Sequence, residues 1–169
     1  MPGFGIERER ELGWQGVFRI PPGGGPEDVE LVVGEDEFEQ PNGVCFSPDE
    51  SLVYINDTPK AHIKVFDVDQ DGSLSNGRLF AEGIGSGVIE EGIPDGMKCD
   101  EQGNIWVTGP GGIWIISTGG EHLGVIKVPE NTGNLTWGGE DWRTVFIPSS
   151  TSLYTIRSKV GPRREPYMR

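Results

Sequence analysis

The sequence predicts an all-β fold, part of a β-propeller with about three complete four-stranded blades and part of a fourth. Glycine (27 residues) and proline (13 residues) are abundant, yet they fall as punctuation between short runs of Val, Ile, Trp, Tyr and Phe. A turn-rich sheet protein is written that way, and a helical one is not. A register also recurs. A short polar amide or acid opens a strand that leads, 11 or 12 residues later, to an aromatic residue in the next strand: Asn42 to Tyr54, Asp95 to Trp106 and Asn134 to Phe146. Four short strands in each roughly 40 to 50 residues match the period of a propeller blade.

Taken in order, a partial unit comes first, with strands at Gly16–Ile20 and Val29–Val33 around a Pro21-Pro22-Gly23-Gly24-Gly25 turn. From Asn42 the first full unit runs through an inner strand at Val44–Ser47 and a Pro48-Asp49-Glu50 turn. Strands at Leu52–Asn56, Ile63–Val68 and Arg78–Ala81 complete it. From Asp95 the plan repeats with a turn at Asp100–Gly103 and strands at Asn104–Thr108, Ile113–Ser117 and Leu123–Val128. From Asn134 it repeats again with Thr144–Pro148 and Leu153–Arg157, and no clear fourth strand follows. The resulting division is one propeller domain over 1–160: a partial blade at 1–40, blades at 41–93 and 94–131, and a last blade at 132–160 lacking its closing strand. A basic tail follows over 161–169, and the stretch from Arg157 to Arg169 is expected to be a solvated extension and not a binding arm.

With a formal net charge of −13 and no basic stripe interleaved with aromatics, the chain would repel a phosphate backbone, so nucleic acid is excluded as a partner. No stretch approaches a membrane span and the first residues lack the regions of a signal peptide, so no membrane partner and a cytoplasmic location are expected. Cys45 and Cys99 follow the repeated polar positions within predicted strands, where buried free thiols are favoured over a disulfide.

Pro41-Asn42-Gly43-Val44-Cys45-Phe46-Ser47-Pro48-Asp49-Glu50, followed by Leu52-Val53-Tyr54-Ile55-Asn56-Asp57-Thr58, resembles the senescence marker protein 30 (regucalcin), gluconolactonase and luciferin-regenerating enzyme family. Ile93-Pro94-Asp95-Gly96-Met97, Asp100–Val107, Asn134–Gly139 and Ser152-Leu153-Tyr154 extend the resemblance across most of the chain. It implies a six-bladed propeller with one divalent metal in the central tunnel, most often Ca2+ with Zn2+ or Mn2+ as alternatives, and a small-molecule lactone as substrate. The family's metal ligands are an acidic first-blade residue, the Asn of a Pro-Asn-Gly motif and the Asp of a Pro-Asp-Gly motif. The last two match Asn42 and Asp95, and the family's proton-handling role falls on Asp95. The acidic ligand has no counterpart here, and Phe4-Gly5 resembles the end of an early-blade segment. The resemblance therefore implies that about the first two fifths of a usual member is absent, so that missing N-terminal blades or self-association would complete the ring.

Calcium takes about six to eight oxygen ligands, and Asn42 and Asp95 supply two, leaving room for water and substrate. In a metal-assisted lactonase the ion polarises the ring carbonyl while a carboxylate moves the proton. Without the family match, Asp95 reads as a strand-entry Asp capping its own Asp-Gly turn. Asn134 shares the repeated address and is expected to line the pocket, with Trp137 three residues on as the aromatic nearest to it. Asp57, at the end of a second strand, could support the site from behind its ligands, but a turn-capping role is favoured.

Other motif-like stretches have plainer explanations. Asp67, Asp69, Asp71 and Gly72 imitate an EF-hand loop, but Arg78 stands at position twelve and strands flank it, so a hairpin turn is expected. Gly83–Gly87 precedes no helix and reads as a blade connection at the pocket mouth. His62 and His122 stand singly, against zinc or a histidine triad. Two other functions are compatible with the residues: a non-catalytic propeller remnant serving as a binding or assembly module, and a phosphotriesterase- or arylesterase-like hydrolase of the same architecture.

Overall fold

In the computed structural model, residues 12–165 and 168 are described. They contain thirteen strands and two single-turn 3-10 helices, Pro26–Asp28 and Ile89–Glu91. Strands β1 (Val17–Arg19) and β2 (Glu30–Val33) pair as a two-stranded sheet. The next sheet follows chain order through β3 (Pro41–Phe46), β4 (Leu52–Asp57), β5 (His62–Val68) and β6 (Leu74–Ala81). The third does the same through β7 (Met97–Cys99), β8 (Ile105–Gly109), β9 (Gly112–Ile116) and β10 (His122–Lys127). The fourth has three strands, β11 (Thr136–Gly138), β12 (Thr144–Pro148) and β13 (Leu153–Arg157). Every pairing is antiparallel. The expected Phe4-Gly5 segment lies outside the described residues.

Short acidic side chains close the hairpins. Asp100 accepts from the Gln102 and Asn104 amides at 2.9 Å and from the Trp106 indole at 3.0 Å. Asp49, Asp71 and Asp141 each accept from the amide two residues on. The chain turns where an Asp can satisfy backbone donors locally, the Asx-turn chemistry that competes with a continuing strand. The EF-hand imitation is one of these hairpin turns, joining β5 to β6.

Side-chain alternation then builds the core. Tyr54 of β4 faces the third sheet, in a cluster with Val65, Ile84, Met97, Ile105 and Val107, while its neighbours Val53 and Ile55 face the first sheet with Val33, Phe38 and Phe66. On β8, Ile105 and Val107 face back to the second sheet, whereas Trp106 faces the fourth, in a cluster with Leu135, Trp137, Val145 and Ile147. Each central strand is thus buried on both faces, which is why β4 and β8 carry near-continuous apolar runs. The cores lie between successive sheets, so each blade is stable only against its neighbours.

The expectation of a solvated tail fails at its start. Gly161, Pro162 and Arg163 are buried: Pro162 bridges Asp100, and the Arg163 amide donates to the Cys99 carbonyl at 2.9 Å. The Arg163 side chain is 8% exposed, donates from Nε to the Ser47 carbonyl at 2.9 Å and pairs with Glu50 and Glu165. A run of basic residues looks solvated in one dimension, and only the folded chain shows acceptors waiting for it. Arg163→Ala should therefore lower stability by about 1.5–3 kcal/mol, the range for hydrogen bonds to a charged group, read as a shift in the urea midpoint. No helix among the described residues is long and apolar enough to cross a membrane.

Candidate metal and lactone site

The repeated register brings the three polar addresses to corresponding ends of three inner strands. Cys45 of β3 lies opposite Tyr54, Lys98 of β7 opposite Trp106, and Thr136 of β11 opposite Phe146. Cys45, Lys98 and Thr136 are therefore equivalent, with Asn42, Asp95 and Asn134 just upstream of each. A bulge between Pro41 and Val44 marks the first address. Asn42 sits within β3, while Asp95 and Asn134 sit in the segments entering β7 and β11.

Buried polar side chains fix these segments. Asn56, with no exposed surface, accepts from the Gly43 amide at 3.1 Å and donates to the Asp95 carbonyl at 2.8 Å. The Thr58 hydroxyl donates to the Pro94 carbonyl at 2.8 Å and accepts from the Asn42 side-chain Nδ2 at 3.2 Å. Thr108 donates to the Ile93 carbonyl at 3.0 Å and accepts from the Asp95 amide at 2.9 Å. Asp95 is thus held by both its N–H and its C=O, independently of its carboxylate. Asn56→Ala leaves two part-buried backbone groups without this partner and should cost about 1–3 kcal/mol, measured by urea denaturation.

Close approach between blades explains the glycine after Asn42 and after Asp95. A Cβ on Gly43 would overlap the Asp95 carbonyl oxygen and lie 2.6 Å from Asn56 Nδ2. A Cβ on Gly96 would lie 2.5 Å from Asn134 Cα. The same packing sets Asp95 beside the third address, since its Oδ2 would lie 3.7 Å from a Cβ on Gly133.

Burial pushes the half-buried Asp95 carboxyl above its ordinary pKa, and a hydrogen bond with the Asn42 side chain pulls it part of the way back. Asn42 and Asn134 are exposed. Trp137 is 3% exposed: its indole donates to the Val160 carbonyl at 3.1 Å and stands edge-on to Trp106, with ring centroids 4.8 Å apart. Most of that ring is core, and its remaining surface borders a cavity of about 220 Å³ lined also by Phe46, Cys45, Lys98, Cys99 and Arg163. Burial lowers the Lys98 pKa and raises that of Cys45, while the Cys99 thiol is pushed up to about 12. Both cysteines are free; Cys99 is buried and Cys45 half-buried. Asp57 accepts from the Glu39 and Gln40 amides at 2.7 and 3.2 Å and is a cap, though for a distant segment and not for its own turn.

Asn42 and Asp95 offer an amide oxygen and a carboxylate, the hard donors that suit calcium, and among the described residues no three His, Cys, Asp or Glu side chains gather. The donor set fits two positions of such an ion.

Residues 3–151 match the family model described as the SMP-30/Gluconolactonase/LRE-like region. The chain belongs to that family. The gluconolactonase of Zymomonas mobilis is 33% identical over 156 residues, covering 89% of this chain and 42% of that protein. The structure of a Xanthomonas campestris gluconolactonase superposes with a TM-score of 0.74 at 29% identity, covering 93% of this chain and 49% of that one. A calcium-binding protein, regucalcin, of Agrobacterium tumefaciens shares the fold at a TM-score of 0.69 and 23% identity, covering 83% and 52%. The chain spans about half the length of these members of the SMP-30/gluconolactonase family.

The side chains that hold the backbone of the site, Asn56, Thr58 and Thr108, escape sequence reasoning. Their signal was a polar residue at the end of an otherwise apolar strand, as in Leu52-Val53-Tyr54-Ile55-Asn56 and Ile105-Trp106-Val107-Thr108. Such positions read equally well as strand ends facing water.

Proposed function

We propose that this chain carries part of the active site of a divalent-metal-dependent lactone hydrolase of gluconolactonase type, with Asn42 and Asp95 as metal ligands and Asp95 as the proton carrier. The observation that supports it is the Asp95 carboxylate, fixed by its backbone, half-buried, raised in pKa and adjacent to Asn42. A carboxylate made more basic by desolvation is a better general base than one in water. Asp95 takes a proton from the attacking water as the new C–O bond forms. The same proton is delivered to the ring oxygen as the ring C–O bond breaks, leaving a hydroxy acid. A divalent ion bound by Asp95 and Asn42 would polarise the lactone carbonyl and stabilise the oxyanion. Oxygen-only donors favour calcium over zinc.

The experiment is a calcium titration followed by thermal unfolding, together with hydrolysis of D-glucono-1,5-lactone. Calcium is expected to raise the melting temperature of the wild type and not that of Asp95→Ala. Absence of a calcium effect on the wild type sinks the metal-site reading. The two-donor set also favours a second reading, a propeller module that binds without catalysis. Calcium binding without turnover of sugar lactones or phosphotriesters would select it.

A further inference from the structure

We propose that Asn134 donates a hydrogen bond to an oxygen of a polyhydroxylated lactone, and that Lys98 is the positioning residue that sets the Asn134 amide in this orientation. The inference rests on the lactonase reading and assigns two residues within it.

Asn134 Oδ1 accepts from the Leu135 amide at 2.8 Å and from Lys98 Nζ at 3.3 Å. A backbone N–H and an ammonium can only donate, so the oxygen must lie on their side and the NH2 on the other. The carbonyl edge also lies against Gly96, where a Cβ would come within 2.5 Å of Asn134 Cγ. Among the described residues the Asn134 NH2 has no acceptor, the residue is exposed, and the Asp95 carboxylate lies beside the adjoining Gly133. An unengaged donor therefore stands next to the proposed base. The hydroxyl, ring and carbonyl oxygens of a sugar lactone are acceptors of the matching kind.

The strand register does not ask for a cation at Lys98. Its equivalents are Cys45 and Thr136, both small and uncharged. Lys98 is half-buried and pairs with no carboxylate among the described residues; its other hydrogen bond goes to the Met97 carbonyl at 3.1 Å. Holding a cation there without a counter-charge is costly, which a role on the Asn134 carbonyl would explain.

The test is a double-mutant cycle of Asn134→Ala and Lys98→Met with Lys98→Arg as the conservative variant, assayed on D-glucono-1,5-lactone with folding checked by circular dichroism. Each single variant should raise KM about tenfold with kcat within about twofold, the effect of one lost hydrogen bond made equally in ground and transition states. In the Asn134→Ala background Lys98→Met should add nothing, and Lys98→Arg should retain wild-type KM. Multiplicative effects in the double variant, or a Lys98→Met defect that Lys98→Arg does not rescue, overturn the role of Lys98. A second measurement follows the Asn134 side-chain NH2 signals by NMR during addition of D-gluconate, the hydrolysis product. Shifted signals in a wild type that does not turn over lactone overturn the hydrolase reading and support the donor. Turnover with unmoved signals overturns the donor alone, and neither turnover nor shift overturns both.

Discussion

Asp95→Asn is expected to lower lactone hydrolysis by about a hundredfold or more, the range for losing a general base, and to raise the melting temperature at neutral pH. The two effects have one cause. Burial disfavours the ionised carboxyl, so the folded pKa lies above the unfolded value of about 3.9. A group raised in this way contributes stability that is fully present below the unfolded pKa and is lost as pH rises through the folded pKa. At pH 7 the native state therefore carries an ionised group it would hold more easily as neutral, and Asn removes that burden. Thermal unfolding in a chelating buffer should show the variant more stable at pH 7, with the gap closing towards pH 4. A variant less stable than wild type at pH 7 would show that the carboxylate is held by a partner and not strained by burial.

Gly43→Ala should be the most damaging single-methyl change in the site, costing about 1–3 kcal/mol at the least, because the new Cβ meets backbone and not a flexible tip. The Asp95 carbonyl it would overlap accepts from buried Asn56 Nδ2 at 2.8 Å and cannot retreat without breaking that bond. Gly34→Ala is the control: a Cβ there meets nothing within 4 Å and the backbone is not left-handed, so the change should be neutral or slightly stabilising. Urea midpoints of the two variants measure the contrast, and equal midpoints would mean the blades can spread to admit a methyl group. Calcium-dependent stabilisation should also weaken in Gly43→Ala, since the displaced group is the backbone of the proposed ligand.

Much of this site was legible because its chemistry and its packing share residues. Asn42-Gly43 and Asp95-Gly96 each join a ligand type to the glycine that lets the next blade approach, so the motif stands out in one dimension. Asn134 was legible only as a repeat position; which end of its amide faces outward depends on Lys98 and Leu135, donors whose direction no spacing reveals. Trp137 illustrates the opposite limit. Its proximity to Asn134 suggested a pocket wall, but strand alternation turns it into the core against Trp106, with only an edge on the cavity. The tail failed for a related reason: Arg163 reads as a solvated charge until the fold brings the Ser47 carbonyl and Glu50 to it across more than a hundred residues.

Local rules sufficed for the strands, their turns and the blade period, because alternation, Asx turns and glycine punctuation act over a few residues and are written where they act. The sequence also marked Asn42 and Asp95 as chemically apt for a hard cation. Tertiary structure alone decided that Asn56, Thr58 and Thr108 grip the Asp95 segment, that burial makes its carboxyl more basic, and that Lys98 orients Asn134. The Asn56, Thr58 and Lys98 bonds join blades across 36 to 39 residues, while Thr108 reaches Asp95 from the next strand of the same sheet, and each depends on which side of a strand its neighbour happens to cover.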